Sequence, residues 1–233
     1  MAHELHSVPT TTHGRILIRR ARSRPARGVL VGFHGYSETA AIQMARLEAV
    51  CRDDPWTLVS VQALHRFYRG RSQAVGASWM TSEDRETAIA DNLAYVASAL
   101  DLVADDAAAG VVHAGFSQGV AMAFRAAVLG SDPPPAGRAA DPAPRAPRPA
   151  LGVIAIGGDV PPELLADPVL KFPPVFLARG SADDWYTAAK FEADSRALQT
   201  RGVDLHPFAY EAPHDWTPAA SAAAGEWLNG RRV

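Results

Sequence analysis

Cysteine is almost missing from this chain of 233 residues: Cys51 stands alone, which excludes an internal disulfide framework and suits a reducing compartment. Excess charge of either sign is missing too. Twenty-three Lys and Arg face 25 Asp and Glu, for a net charge of −2, so no whole-molecule field draws the protein to nucleic acid. No run of about eighteen apolar residues occurs, and Met1-Ala2-His3-Glu4-Leu5-His6 has no charged start followed by an apolar stretch. A cytoplasmic protein without stable membrane insertion is therefore expected. HExxH and cysteine-rich ligand patterns are lacking, and His3 and His6 read as part of a floppy terminus, so neither metal nor cofactor is expected. What the chain does have is 48% hydrophobic content, enough for one large core, and residues 1–233 read as a single domain.

Strand-like and helix-like segments alternate, the pattern of a mostly parallel sheet covered by helices on both faces. Arg15 to Arg19 alternates polar and apolar residues, suiting an edge strand. Val29 to Phe33, Thr57 to Val61, Val111 to Ala114, Val153 to Ile156 and Val175 to Arg179 are short apolar runs that suit buried strands, and Val203 to Tyr210 suits a further one. Ala40 to Arg52 and Tyr186 to Arg201 read as helices. After the capping signal Thr81-Ser82-Glu83-Asp84, the spacing of Ile89, Leu93, Val96, Leu100 and Val103 predicts a helix that lays this stripe on the sheet. Thr217-Pro218 reads as an N-cap with proline at the first position of a last helix, ending near Leu228. Ser131 to Pro149 holds seven of the eighteen prolines and reads as a flexible surface insertion.

The stretch that carries chemistry is Gly115-Phe116-Ser117-Gln118-Gly119, which follows an apolar strand and precedes an apolar helix. Gly-x-Ser-x-Gly in that setting is a nucleophile elbow: the serine occupies a strained turn with its hydroxyl above the sheet. A serine needs a base, and the base needs an orienting acid. Gly180-Ser181-Ala182-Asp183 places a carboxylate just past one strand, and Pro213-His214 follows the next. Ser117, Asp183, His214 is the chain order of the α/β-hydrolases. Asp159 and Asp184 stand as alternatives for the acid. The oxyanion needs two backbone N–H groups; one comes from Gln118, and the strand running into His34-Gly35 offers the amide of Tyr36 as the second. The Tyr36 side chain is then left to help shape the acyl pocket.

Phe33-His34-Gly35, the Phe-Ser-Gln-Gly elbow, Gly180-x-x-Asp183 and Pro213-His214 together resemble the phospholipase/carboxylesterase group of α/β-hydrolases, which includes the acyl-protein thioesterases. The resemblance runs from about Val29 onward, with Ala63 to Met80 similar to a bacterial esterase branch. Tyr36-Ser37-Glu38 stands where the thioesterases usually carry Leu-Gly-Asp. The resemblance implies an α/β-hydrolase fold without a cap domain and hydrolysis of a small-molecule carboxylic ester, lysophospholipid or thioester. It also favours Asp183 as the acid. Trp79-Met80 resembles a segment bordering the acyl channel, which makes both residues candidate substrate contacts. An amidase or peptidase using the same residues, and a hydrolase-fold module without activity, are the competing readings.

Other features have plainer readings. Arg19, Arg20, Arg22, Arg24 and Arg27 suit a solvated hairpin turn. His65 to Arg71 reads as a structural loop, with recognition of an anionic group as its alternative. His113 reads as a packed core histidine.

Overall fold

Along the second strand Val29, Val31 and Phe33 alternate with Leu30 and Gly32, and both sets are apolar because both sides of the sheet are covered. The computed structural model describes residues 3–52, 55–130 and 148–230. Among these the order is β1 (Arg15–Arg19), β2 (Gly28–Phe33), α1 (Ala40–Cys51), β3 (Trp56–Gln62), β4 (His65–Tyr68), β5 (Val75–Ser78), α2 (Arg85–Asp101), α3 (Ala104–Ala107) and β6 (Val111–Phe116). Then follow α4 (Gln118–Leu129), β7 (Ala150–Ile156), α5 (Pro162–Ala166), β8 (Val175–Gly180), α6 (Ala188–Thr200), β9 (Leu205–Tyr210) and α7 (Pro218–Asn229).

Seven strands form one sheet in the order β1-β3-β2-β6-β7-β8-β9, with β1 antiparallel and every other pairing parallel. Apolar side chains of α1 and α7, among them Leu47, Val50, Ala224 and Leu228, bury one face around Leu30, Val112 and Ile154. Those of α2 and α4, among them Leu93, Val96, Met122 and Phe124, bury the other around Val31, Phe33 and Val59. Each layer supplies apolar area that the parallel strands could not otherwise shield from water. The connections above the strand ends are loops, the β4–β5 hairpin and the short α5, with no cap domain among the described residues. Parallel strands all end on one side, so the loops after β2, β6, β8 and β9 gather there, where ligands of such sheets bind.

The expected helices and buried strands are present within three residues at each end, β7 departing most by starting at Ala150 instead of Val153, and Thr217 caps α7 by accepting from the Ala220 amide. Three expectations fail. Arg19 to Arg27 is no hairpin turn, because β1 pairs with β3 and the segment crosses over to β2. Its arginines are engaged: Arg20 and Arg24 pair with Asp106, a buried carboxylate that also accepts from Thr57. At α2, Thr81 bonds only within its own turn, and Asp84 at the N-cap is left-handed (φ 47°) with no capping bond. His65 to Arg71 is not a plain loop; it opens the antiparallel hairpin β4–β5. The proline-rich segment, apart from Arg148 and Pro149, lies outside the described residues.

Candidate active site

β6 ends in the elbow. Ser117 has φ 52° and ψ −120°, a strained conformation for a residue with a side chain, held by its amide bonding to the Ile156 carbonyl at 3.0 Å. The turn closes because Gly119 has no Cβ; one placed there would lie 2.1 Å from the Phe33 carbonyl oxygen. The N-terminus of α4 is thereby pressed against the end of β2, where the His-Gly loop begins.

His214 follows β9 and reaches back over the elbow. Its Nε2 lies 2.9 Å from Ser117 Oγ and its Nδ1 lies 2.8 Å from Asp183 Oδ2. A neutral imidazole with its proton on Nδ1 donates to the carboxylate and presents the Nε2 lone pair to the serine hydroxyl. Asp183 is held in turn, since its Oδ1 accepts from the amides of Trp185 and Tyr186 at 2.9 and 2.8 Å, and its side chain is only 1% exposed. Asp159 instead pairs with Lys190 at the surface, and Asp184 is exposed in the same turn as Asp183. Of the three carboxylates considered, the structure brings Asp183 alone to His214.

The loop after β2 is fixed by charges the sequence did not advertise. Glu38 Oε2 accepts from the Gly35 amide at 2.8 Å, and the same carboxylate makes a two-pronged pair with Arg46 of α1 at 2.6 and 2.8 Å. Burial alone would raise the Glu38 carboxyl; the Arg46 hydrogen bonds and charge hold it below the usual carboxylate range. His34, fully buried, donates from Nδ1 to its neighbour's carbonyl and accepts the Ala63 amide on Nε2, and burial lowers its pKa. Ser37 and Glu38 bond to Ala77 of β5, tying the loop to the hairpin. In this frame the Tyr36 amide bonds to no described residue. The Gln118 amide opens α4, where no intrahelical acceptor precedes it.

Beside Ser117 lies a cleft of about 550 Å³. Met80, Ala121, Val160 and Trp185 give it apolar wall, and Arg85, Arg125, Asp159, Lys190 and Asp194 give it charge. Met80 thus lies where a substrate contact was expected. Trp79 does not: it is wholly buried, its ring 5.5 Å from Phe33 and its indole N–H donating to the His34 carbonyl, so it packs in the core and forms none of the cleft wall. The Tyr36 side chain also points elsewhere, 61% exposed and packed against Phe67 of β4. Among the described residues no cluster of His, Cys, Asp and Glu could hold a metal ion, and no helix is long and apolar enough to cross a membrane.

No protein-family model and no curated protein matches the sequence. Solved structures do match. The chain is similar to esterase PE8 (TM-score 0.68, 22% identity, 95% of this chain and 100% of that one). It is similar as well to acyl-protein thioesterase 2 of Zea mays (TM-score 0.68, 19% identity, 94% and 99% covered). A phospholipase/carboxylesterase from Dyadobacter fermentans gives a TM-score of 0.63 at 21% identity over 96% and 100%. The fold is that of the α/β-hydrolases. These neighbours come from the group whose motifs the sequence resembles.

Several residues around the site escape a reading of the sequence. Gln118 was expected to contribute only its amide, yet its side chain fastens the cleft wall: Oε1 accepts the Trp79 amide at 3.0 Å and Nε2 donates to the Met80 carbonyl at 2.9 Å. Phe116, the variable residue before the serine, stacks on the His214 ring with centroids 5.0 Å apart, and the Arg46 guanidinium lies 4.3 Å from the Phe116 ring centre. Tyr186 donates from its hydroxyl to Asp194 at 2.8 Å, beneath the loop that carries Asp183. Glu38 and Arg46 are eight residues apart across a loop and a helix start, a pairing that only the tertiary fold creates.

Proposed function

We propose that this protein, acting as one catalytic domain, is a serine hydrolase that cleaves carboxylic esters, with Ser117 as nucleophile, His214 as general base and Asp183 as the orienting acid. The observation that carries the reading is the unbroken hydrogen-bonded chain from Ser117 Oγ through His214 to Asp183, mounted on a serine in strained elbow geometry. His214 Nε2 takes the Ser117 proton as Oγ attacks the ester carbonyl. The tetrahedral oxyanion accepts hydrogen bonds from the Tyr36 and Gln118 amides. Collapse breaks the ester bond, the imidazolium hands its proton to the departing alcohol, and an acyl-serine remains. Water, deprotonated by the same imidazole, then releases the acid and restores the serine. Asp183 stabilises the imidazolium without taking its proton. Met80 borders the acyl group. The single, buried Cys51 fits a cytoplasmic setting.

Fluorophosphonate labelling combined with a p-nitrophenyl ester screen tests the assignment. The wild type is expected to label on Ser117 and to turn over at least one ester, and Ser117→Ala to lose both while unfolding at nearly the same temperature. Turnover near wild-type level in Ser117→Ala would remove the serine from the mechanism. Absence of labelling and of ester turnover in the folded wild type would leave a non-catalytic hydrolase-fold module.

A further inference from the structure

At one end of the cleft the charges do not balance. Arg125, two turns along α4 from the elbow, has a side chain 1% exposed; its Nε and Nη2 both bond to Glu163 Oε1, but among the described residues its Nη1 has only the thioether sulfur of Met80, at 3.5 Å. A thioether is a weak acceptor, so one donor face of a buried cation is poorly satisfied at the wall of the cavity that holds Ser117. Arg85, the first residue of α2, lies on the same wall and hydrogen-bonds to no described residue. Its charge is felt by both Arg125 and Glu163. Two guanidiniums therefore share one carboxylate. Elsewhere in the lining Lys190 is matched by Asp159 at 3.4 Å, and Asp194 accepts from Tyr186 and from the Val160 amide. An anion entering the cleft is drawn to the arginines and repelled by these carboxylates.

We propose that Arg85 and Arg125 Nη1 form a subsite for an anionic group, so that the substrate is an ester carrying a second, ionised acid function. This rests on the serine-hydrolase reading and narrows it to a substrate class. Arg125 lies eight residues beyond Ser117 on α4, about 12 Å at the helical rise per residue, and helical side chains lean back toward the N-terminus. The Arg125 side chain takes up part of that distance, and a carboxylate at the far end of a five- or six-carbon acyl chain suits what is left. Guanidinium–carboxylate hydrogen bonds are charge-assisted, and in a partly enclosed cleft they discriminate strongly against an uncharged chain of equal length.

The test measures kcat/KM for the mono-p-nitrophenyl esters of glutaric and adipic acids against p-nitrophenyl valerate and hexanoate. A second arm sets the acetate of 4-hydroxyphenylacetate against that of 4-ethylphenol, to show whether the anion sits on the acyl or the alcohol side. An anionic-to-neutral ratio of about ten or more is expected in one arm, arising mainly in KM and shrinking with added salt. The ratio should fall about tenfold in Arg85→Gln and below one in Arg85→Glu. If neutral esters are hydrolysed while the wild-type ratio stays near one, or if Arg85→Glu does not move it, the subsite is refuted and the hydrolase reading survives. If no ester of either arm is hydrolysed and the serine does not label, the hydrolase reading itself fails and takes the subsite with it.

Discussion

At the scale of single residues, the chemistry depends on atoms whose neighbours are already fixed. Asp183 has both oxygens committed, one to His214 and one to two amides, so replacing it by Asn presents the imidazole with a competing donor. Asp183→Asn should lower kcat by about 10⁴, the loss such a change brings in a well-studied triad. Asp159→Asn and Asp184→Asn should stay within a few-fold of wild type; a crippled Asp159→Asn beside a healthy Asp183→Asn would move the acid to the preceding loop. The Tyr36 side chain packs outside the cleft, so Tyr36→Phe should retain most activity. Tyr36→Pro, which deletes an amide, should cost roughly 10²-fold or more in kcat. Equal losses in the two folded variants would implicate the phenol.

At the scale of elements, β6 combines a motif with a liability. His113 sits in mid-strand against Phe33, and its Nδ1 finds no partner among the described residues. Burial pushes its pKa down to about 3. The unfolded chain therefore takes up a proton near pH 6.5 that the folded chain refuses until about pH 3, so this stability is fully present above about pH 6.5 and is lost as pH falls toward 3. Between pH 7 and 4.5 the loss should be about 2–3 kcal/mol. Urea unfolding of His113→Leu should show a correspondingly shallower pH dependence than wild type, and identical pH slopes would contradict the argument. The elements also mark what the sequence could reveal. Buried parallel strands are apolar on both faces and stand out as runs, and the elbow adds a glycine pattern, so β2, β3, β6, β7 and β8 were legible. The hairpin β4–β5 was not: β4 is mostly exposed, and the buried residues of β5, Gly76, Ala77 and Ser78, are too small and mixed to stand out as an apolar run. Nor was the crossing from β1 to β2, since the partner of an edge strand is chosen by long-range packing. Trp79 misled because a large aromatic ring reads alike in a core and on a pocket wall. The Glu38–Arg46 pair, which fixes the loop after β2, joins residues that no local pattern links.

At the scale of the whole molecule, two apolar layers clasp one sheet, and the loops that carry Ser117, Asp183 and His214 rise from strands that touch both. Leu47 on α1 and Leu93 on α2 belong to opposite layers, and each is almost wholly buried. Leu47→Ala and Leu93→Ala should each cost about 2–4 kcal/mol, with heat unfolding still a single transition and esterase activity vanishing within it. Two separated transitions would mean that the layers melt independently. The residues assigned to chemistry are divided along the chain: Tyr36, Ser117 and Gln118 precede Gly130, whereas Asp183 and His214 follow Arg148, and the halves are joined by the parallel ladder between β6 and β7. Expressed as two polypeptides divided between Gly130 and Arg148, one fragment would own the nucleophile and both oxyanion amides and the other the base and acid. Neither could turn over a fluorogenic ester alone. Such a pair would form a complementation reporter in which light is emitted only after the fragments find each other and rebuild the sheet.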